Sequence, residues 1–345
     1  MWSVNRAEQT DESLLRLASQ LTERVGKGRS RALSRLAGGK NNQVYRVETE
    51  AGTPLVLKRY FTDPRDPRDR LGAEWDFLKH AWSHGIRAVP EPLACDAVSH
   101  AGLYGFVQGR KLLASELTPA HIDAAIDFVL SVNARPRALL APGSEACFTL
   151  AEHISTVERR VERLAMLDPD APHAKEAQSF VSTRLLPAWN VVKSRLAADA
   201  HAAGLAMEQV LSPDDCCLSP SDFGFHNALI DDAGKVTFLD FEYAGRDDPA
   251  KLVSDFFCQP EIPVPLDYHA IFIARMAEGF GLDEAGRARC RMLLDAYRIK
   301  WTCIILNDFL PLGAARRAFA DAGAWAARCA SQLAKADAEL AALRA

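Results

Sequence analysis

The stretch LSPSDFGFHNALIDDAGKVTFLDFEYAG, residues 218–245, places three short polar side chains around a predicted β-hairpin. Asp222 and Asn227 precede the first apolar arm, NALID, and Asp240 closes the second arm, KVTFLDF. Because the two ends of a hairpin lie side by side, these side chains are expected to converge. Carboxylate and amide oxygens suit Mg²⁺, and a further carboxylate could orient and deprotonate a hydroxyl. The pattern therefore favours phosphoryl transfer from a nucleotide.

A second group of residues, nearer the N-terminus, could hold the phosphates that such a reaction requires. Gly38 and Gly39 come just before a predicted strand, where the absence of side chains lets backbone amides approach phosphate oxygens. Lys58 ends the apolar run PLVLK, and Glu74 lies in the following predicted helix, where it could hold the Lys58 ammonium in place. Four features in this order are a stronger indication than any one of them.

The remaining patterns predict the elements that would position these residues. Helical spacing is found in DESLLRLASQLTERVG and in RDRLGAEWDFLKHAWSHG, which ends in Gly85. The runs NQVYRVET and PLVLKRYF predict a hairpin, and VPEPLACD and GLYGFVQG predict short strands. After about Lys111 the periodicity is helical, and the hairpin of residues 218–245 is its only strand-like interruption. Asp248 and Pro249 predict the N-cap and first residue of a helix.

Taken together, these motifs resemble those of the aminoglycoside phosphotransferase and choline kinase family, whose fold is similar to that of protein kinases. LAGGKNNQVYRV resembles the family's nucleotide loop, PLVLK its lysine strand, SDFGFHN its catalytic loop and FLDFEYAGRDDPA its metal-binding segment. The resemblance implies an α+β, bilobal fold with a small β-rich N-lobe, residues 29–108, and a large, mainly α C-lobe, residues 109–345. Residues 1–28 form a leading amphipathic helix.

The resemblance also implies a role for each matching residue, with ATP and Mg²⁺ as cofactors. Asp222 would be the catalytic base, and Asn227 and Asp240 would bind Mg²⁺. Lys58 would touch the α- and β-phosphates, with Glu74 as its ion-pair partner. The nucleotide would further meet the loop that contains Gly38, Gly39 and Asn42, and a connector at residues 104–107 that contains Tyr104 and Phe106.

Two departures from the family pattern leave alternatives open. Pro220 and Ser221 stand where the family has His-Gly, and Leu252 stands where many members have aspartate. One alternative is a kinase-like protein that binds nucleotide without transfer, and another is a nucleotidyltransferase on the same fold. His226 is interpreted as a packed or turn histidine.

The acceptor also stays open among aminoglycosides, sugars, choline-like alcohols and amino-alcohols. Glu242, Asp247 and Asp308 are candidates for recognition of a cationic acceptor.

Composition fits this class of protein. The 345 residues carry a formal net charge of −4 and are 48% hydrophobic, which gives no support to nucleic-acid or membrane binding. No apolar run approaches the ~18 residues of a membrane helix, and the first residues are polar and acidic. The eight cysteines lack zinc-site spacing and are expected to be reduced thiols in a cytoplasmic protein. The sequence does not indicate the oligomeric state.

Overall fold

The computed structural model describes residues 12–36, 42–64, 66–134, 140–311 and 325–343. The chain forms two compact units, of which one comprises residues 1–144 and 218–246 and the other residues 145–217 and 247–345. The predicted lobes, residues 29–108 and 109–345, were defined by the expected roles of the two parts, whereas the two units are defined by the contacts within each. The predicted lobes stay a prediction, as does the separate leading segment 1–28.

A five-stranded antiparallel sheet forms the N-terminal part of the first unit. Its strands are β1 (Ser30–Arg35), β2 (Gln43–Thr49), β3 (Leu55–Arg59), β4 (Pro92–Asp96) and β5 (Ala101–Gly105), in the spatial order β1-β2-β3-β5-β4. Helix α1 (Glu12–Arg24) packs on this sheet and contributes Leu14 and Leu21 to the core. The predicted leading helix, the hairpin of β2 and β3 and the two short strands are confirmed.

Alternation along β3 sets the direction of Lys58. Leu55 and Leu57 are buried in the core that includes α1. Because successive side chains of a strand point to opposite faces, Lys58 lies on the other face of the sheet. Val44 of β2 and Gly102 of β5 are its neighbours in register.

Helix α2 (Arg70–Ser83) carries Glu74. It begins at Asp69, whose side chain accepts a hydrogen bond of 2.9 Å from the backbone N–H of Gly72. Gly85, with φ +78°, follows the end of the helix, as the glycine stop in the sequence predicts. Asp69 and Gly85 therefore mark the two ends of the helix, and Glu74 lies in its second turn from the Asp69 end.

Short strands position the segment that contains the three polar residues. Strands β8 (Ala228–Ile230) and β9 (Val236–Phe238) form the predicted hairpin, and β6 (Arg110–Lys111) joins them in a three-stranded sheet. Strands β7 (Cys217–Ser219) and β10 (Gly245–Asp247) form a two-stranded sheet. The prediction that the hairpin is the only strand-like interruption after Lys111 was therefore wrong. Strands of two or three residues are too short to show an alternating pattern.

A cluster of phenylalanine rings fixes both arms of this segment within the first unit. Phe128, on helix α3 (Pro119–Asn133), lies with its ring centroid 4.8 Å from that of Phe238 and 5.8 Å from that of Phe223. Phe241 stacks on Phe77 of α2 at 4.5 Å. Phe223 follows Asp222 and Phe241 follows Asp240, so the residue next to each candidate carboxylate is anchored in the core.

The described part of the second unit is mainly helical. Its helices are α4 (Leu150–Arg163), α5 (Ala174–Phe180), α6 (Leu186–Ala202), α7 (Pro249–Cys258), α8 (His269–Phe280), α9 (Glu284–Met292), α10 (Leu294–Ile305) and α11 (Trp325–Ala341). Helix α10 packs against α4, α7 and α11. Asp248 caps α7 and accepts a hydrogen bond of 2.7 Å from the Ala250 N–H, as predicted.

A buried histidine connects three segments of this unit. His153 of α4 is fully buried, with Nε2 3.0 Å from Asp248 Oδ2 and Nδ1 2.7 Å from the Tyr297 hydroxyl. Burial opposes the positive charge on the ring, but the side chains of Asp248 and Cys147 outweigh it and raise the pKa of His153 to about 9. Both ring nitrogens therefore carry hydrogen near neutral pH.

We expect the stability of the protein to fall as the pH rises from about 6.5 to about 9. The folded-state pKa of His153 lies above its usual value, so the imidazolium stabilises the fold fully below pH 6.5 and this contribution is lost towards pH 9. The loss is on the order of 3 kcal/mol. Urea unfolding at several pH values should show it, and the change should be smaller in His153→Gln. An equal pH dependence in both proteins would contradict this role.

No helix within the described ranges is long and apolar enough to cross a membrane. The eight cysteines, all in described parts of the chain, form no disulfide, and all except Cys95 are buried.

Candidate active site

Lys58 bridges two carboxylates that come from distant parts of the sequence. Its Nζ lies 2.6 Å from Glu74 Oε2 and 2.6 Å from Asp240 Oδ1. Lys58 and Glu74 are buried, whereas the side chain of Asp240 is 35% exposed. The sequence-predicted ion pair is thus present in the structure, and the structure also brings Asp240 to it.

The charge on Lys58 is secured by this geometry. Burial opposes an ammonium, but the nearby carboxylates of Asp240 and Glu74 outweigh the burial and raise the pKa of Lys58 above its usual value. Lys58 is therefore a fixed cation at neutral pH, beside the partly exposed Asp240 carboxylate. A fixed cation next to a solvent-accessible oxygen ligand is suited to hold a metal-bound polyphosphate.

Two tyrosines extend the network behind Glu74. The Tyr60 hydroxyl donates a hydrogen bond of 2.8 Å to Glu74 Oε2, and the hydroxyls of Tyr60 and Tyr104 are 2.7 Å apart. Burial, with the Glu74 carboxylate nearby, raises the pKa of both hydroxyls, so both stay protonated. The sequence analysis missed Tyr60, although its position two residues after Lys58 places it on the same face of the chain.

Two hydrogen bonds hold Asn227 within the hairpin segment. The side-chain amide of Asn227 donates to the backbone carbonyl of Asp222 at 3.0 Å. The backbone carbonyl of Asn227 accepts from the N–H of Leu239, the residue before Asp240, at 2.8 Å. Asn227 is therefore tied both to Asp222 and to Leu239, the residue next to Asp240, within the first unit.

Two residues of the hairpin segment have left-handed backbone conformations. Ser221 has φ +66° and Asp240 has φ +67°, a region that costs a non-glycine residue about 1–3 kcal/mol. Ser221 stands where the family pattern has glycine, and it adopts the conformation that glycine reaches without strain. Its hydroxyl donates a hydrogen bond of 2.7 Å to the carbonyl of Tyr243. That bond ties the loop before Asp222 to the segment after Asp240.

The other predicted nucleotide residues lie in varied surroundings. Asn42 is buried, and its side chain donates to Glu242 Oε2 at 2.6 Å and accepts from the Phe61 N–H at 3.2 Å. Phe106 follows β5 and has the guanidinium of Arg46 5.1 Å from its ring centroid. The predictions for Gly38 and Gly39 fall outside the described residues.

The three acidic residues considered for a cationic acceptor are each paired with a basic group. Glu242 lies 3.5 Å from Arg70 Nε in addition to its bond with Asn42. In the second unit, Asp247 pairs with Lys251 at 2.6 Å and Asp308 with Arg328 at 3.4 Å. Their charges are therefore balanced within the chain.

The donor set of the site fits a magnesium ion that shares its coordination with a ligand. The described residues contain no cluster of three or more His, Cys, Asp and Glu side chains that could hold a metal alone. Asn227 Oδ1 and the Asp240 carboxylate are hard oxygen donors, and Mg²⁺ commonly takes one or two protein oxygens with water and phosphate oxygens. Asn227 and Asp240 would therefore hold the ion only together with a nucleotide.

The sequence profile of the phosphotransferase enzyme family (APH) matches residues 32–293. The chain belongs to this family.

Three solved structures show that this phosphotransferase-family protein has the kinase-like fold of its relatives. Spectinomycin phosphotransferase in complex with ADP and spectinomycin has a TM-score of 0.61 and 12% identity, with 96% of this chain and 99% of that chain covered. Choline kinase LicA from Streptococcus pneumoniae has a TM-score of 0.58 and 13% identity, with 96% and 100% covered.

The third structure is the amicoumacin kinase hAmiN in complex with AMP-PNP, Ca²⁺ and Ami, with a TM-score of 0.53 and 16% identity. It covers 89% of this chain and 88% of that chain. No curated protein sequence matches the chain. The predicted α+β, protein-kinase-like fold and the predicted family are confirmed, and the family supports phosphotransferase activity on a small molecule.

Proposed function

We propose that the protein is an ATP- and Mg²⁺-dependent phosphotransferase that moves the γ-phosphate to a hydroxyl of a small molecule. The observation that carries this proposal is the position of the Lys58 ammonium, 2.6 Å from both Glu74 and Asp240. One cation held between a buried and a partly exposed carboxylate is suited to phosphate binding beside a metal ion. Membership of the phosphotransferase family supports the same conclusion.

Each part of the site receives one role in this proposal. Lys58 binds the α- and β-phosphates and Glu74 fixes its position, while Asn227 and Asp240 hold Mg²⁺. Bound Mg²⁺ would neutralise charge on the phosphate oxygens. The backbone at Tyr104 and Phe106 meets the adenine ring. Gly38, Gly39 and Asn42 line the nucleotide loop, in which Asn42 acts through its bond to Glu242 rather than through a free side chain.

Asp222 acts on the acceptor. Its side chain is 35% exposed, and its backbone is held by Asn227. The acceptor oxygen bonds to the γ-phosphorus while the bond from that phosphorus to the β,γ-bridging oxygen breaks, and the electron pair leaves with ADP. The hydroxyl proton passes to the Asp222 carboxylate late in this step. Asp222 therefore contributes mainly by orienting the hydroxyl.

The acceptor belongs to the hydroxyl-bearing small molecules on which relatives of this fold act. Those relatives include a spectinomycin phosphotransferase, a choline kinase and an amicoumacin kinase. The acidic residues considered for a cationic acceptor, Glu242, Asp247 and Asp308, are each paired with a basic group of the chain. They therefore give no preference for a cationic acceptor over a neutral one. The location of the acceptor pocket in the C-lobe and of the protein in the cytoplasm stay predictions.

A panel of hydroxyl compounds tests the proposal directly. We would measure ADP formation from Mg-ATP over spectinomycin, amicoumacin, choline, ethanolamine, fructosamines and simple sugars, with Asp222→Ala as the control. A product that gains one phosphate is the expected result. Nucleotide binding with no transfer to any member favours the alternative of a binding protein. A product that gains a nucleotidyl group favours the other alternative. The retained left-handed conformation of Ser221 supports transfer over binding alone.

Replacement of Asp240 by asparagine is expected to make the affinity for ATP independent of Mg²⁺. The amide removes a negative oxygen ligand and the charge that faces Lys58. We expect the affinity for ATP in the presence of Mg²⁺ to fall by about tenfold or more, which is about 1.4 kcal/mol or more. Calorimetric titration with Mg²⁺ and with EDTA measures this effect.

The wild type should bind ATP more weakly in EDTA, whereas Asp240→Asn should bind equally in both solutions. Asp232→Asn, an exposed aspartate in the turn between β8 and β9, is the matched control and should behave as wild type. An undiminished metal effect in Asp240→Asn would remove Asp240 from the metal site.

A further inference from the structure

The residue that lies against the Asp222 side chain is His226, four positions later. A 3₁₀ turn at Phe225–Asn227 brings the chain back towards Asp222, and His226 Nε2 lies 3.2 Å from Asp222 Oδ1. Phe225 anchors this turn, since it is fully buried and its ring centroid is 6.3 Å from that of Phe238. The contact is therefore held by the packing of the turn and not by a mobile side chain.

The surroundings of the His226 ring select one tautomer. The side chain is 9% exposed, and within the described part of the chain its buried Nδ1 has no hydrogen-bond partner. An ionised carboxylate only accepts hydrogen bonds, so the nitrogen that faces Asp222 must carry the hydrogen. With hydrogen on Nε2, Nδ1 presents a lone pair, which avoids the burial of a donor without an acceptor. The ring therefore donates one hydrogen bond, from Nε2 to Asp222 Oδ1.

Two consecutive residues, His226 and Asn227, hold different parts of Asp222. Asn227 fixes the backbone carbonyl of Asp222 at 3.0 Å, and His226 fixes one oxygen of its side chain. Pro220 and Ser221, which precede the aspartate, offer no ring donor. His226, which follows the aspartate, supplies a ring donor to its carboxylate.

We propose that His226 is a positioning residue for Asp222, and this inference rests on the proposed function. The Nε2–H donor holds Oδ1 and so sets the rotation of the carboxylate towards the hydroxyl of the acceptor. In the transfer, the acceptor oxygen bonds to the γ-phosphorus, the bond to the bridging oxygen breaks with its electrons on ADP, and the hydroxyl proton moves to the Asp222 carboxylate. His226 keeps its hydrogen throughout and does not touch the substrate.

Two substitutions of His226 separate this role from packing. His226→Phe keeps a ring of similar size without the donor, whereas His226→Gln keeps an N–H donor near the position of Nε2. We expect His226→Phe to lower kcat by about 10- to 100-fold, because small misplacements of catalytic groups have effects of this size. The KM for ATP and the thermal midpoint should change little. His226→Gln should recover most of the loss.

These kinetic outcomes decide the proposal when the acceptor panel yields a substrate. Wild-type kcat in His226→Phe, equal losses in both variants, or a loss that appears only in the KM for ATP would each overturn it. The test requires Mg-ATP and the accepted hydroxyl compound, with thermal unfolding as the check that both variants fold.

A second measurement is independent of the acceptor. The ¹⁵N resonances of the His226 ring report which nitrogen carries the hydrogen, and we expect the Nε2–H tautomer. Asp222→Asn should shift the His226 ring resonances, whereas Asp232→Asn should not. A ring with hydrogen on Nδ1, or one indifferent to Asp222→Asn, would refute the contact. If the panel yields no substrate, the proposed function fails, while this spectrum still decides whether His226 holds Asp222.

Discussion

Replacement of Asp222 by alanine is expected to lower kcat by about 100- to 10,000-fold, the usual contribution of a positioned general base. Nucleotide affinity should stay within a few-fold of wild type. The reason for this separation lies in the contacts of the loop. Asn227 holds the backbone carbonyl of Asp222 and not its side chain, so truncation leaves the loop tied in place. Lys58 and Asp240, which would bind the nucleotide, make no use of the Asp222 carboxylate in their mutual ion pair.

Steady-state kinetics with the accepted compound and calorimetric titration with Mg-ATP measure the two quantities separately. Asp232→Ala provides the matched control, because it removes an exposed aspartate from the neighbouring turn. Asp222→Asn, which keeps the shape of the side chain, should be as impaired as Asp222→Ala if the charge is what matters. An Asp222→Ala protein with wild-type kcat would remove Asp222 from the mechanism.

Local signals explain which parts of the site could be predicted. The hairpin of β2 and β3, the helix that carries Glu74 and the Asp248 cap depend on residues only a few positions apart, and all were predicted from sequence. The hairpin of β8 and β9 is equally local, and it was predicted together with the positions of Asp222, Asn227 and Asp240 at its ends. The end of the apolar run PLVLK and the helix that follows it pointed to Lys58 and Glu74, which lie 16 residues apart, and the family pattern gave their roles.

Long-range pairs explain what could not be predicted. Asn42 was expected at the nucleotide, but its amide is bonded to Glu242, 200 residues away, and no local pattern announces that pair. Tyr60 and Tyr104 meet because β3 and β5 are neighbours in the sheet, which the order of the strands along the chain does not reveal. Pairing of Glu242 with Arg70, which comes from a distant part of the sequence, likewise depends on tertiary packing.

His226 carries a signal that the sequence analysis did not use. It was interpreted as a packed or turn histidine, and it does lie in a turn with 9% of its side chain exposed. Its spacing of four residues from Asp222 brings Nε2 against the carboxylate as well, and this contact is the basis of the proposed positioning role. Ser221 stands where the family pattern has glycine, and its left-handed backbone conformation gives the physical reason for glycine at that position.

Replacement of Lys58 by methionine is expected to abolish measurable transfer and to destabilise the fold. Loss of one fixed cationic donor at a phosphoryl group should lower kcat by at least about 100-fold. Removal of one member of a buried ion pair usually costs about 3–5 kcal/mol, because the other charge stays buried and unpaired. We expect the lower end, since Tyr60 still donates to Glu74 and Asp240 is partly exposed. Urea unfolding and steady-state kinetics measure the two losses.

The double variant Lys58→Met/Glu74→Gln separates the structural from the functional part of this loss. A neutral amide at position 74 removes the unpaired buried charge, so the free energy of unfolding should recover by about half or more of the loss, as expected for coupled neighbours. Transfer should not recover, because the cation that faces the phosphates is still absent. Recovery of both quantities would mean that Lys58 serves the fold alone. Recovery of neither would mean that the destabilisation arises from packing of the lysine side chain and not from the charge of Glu74.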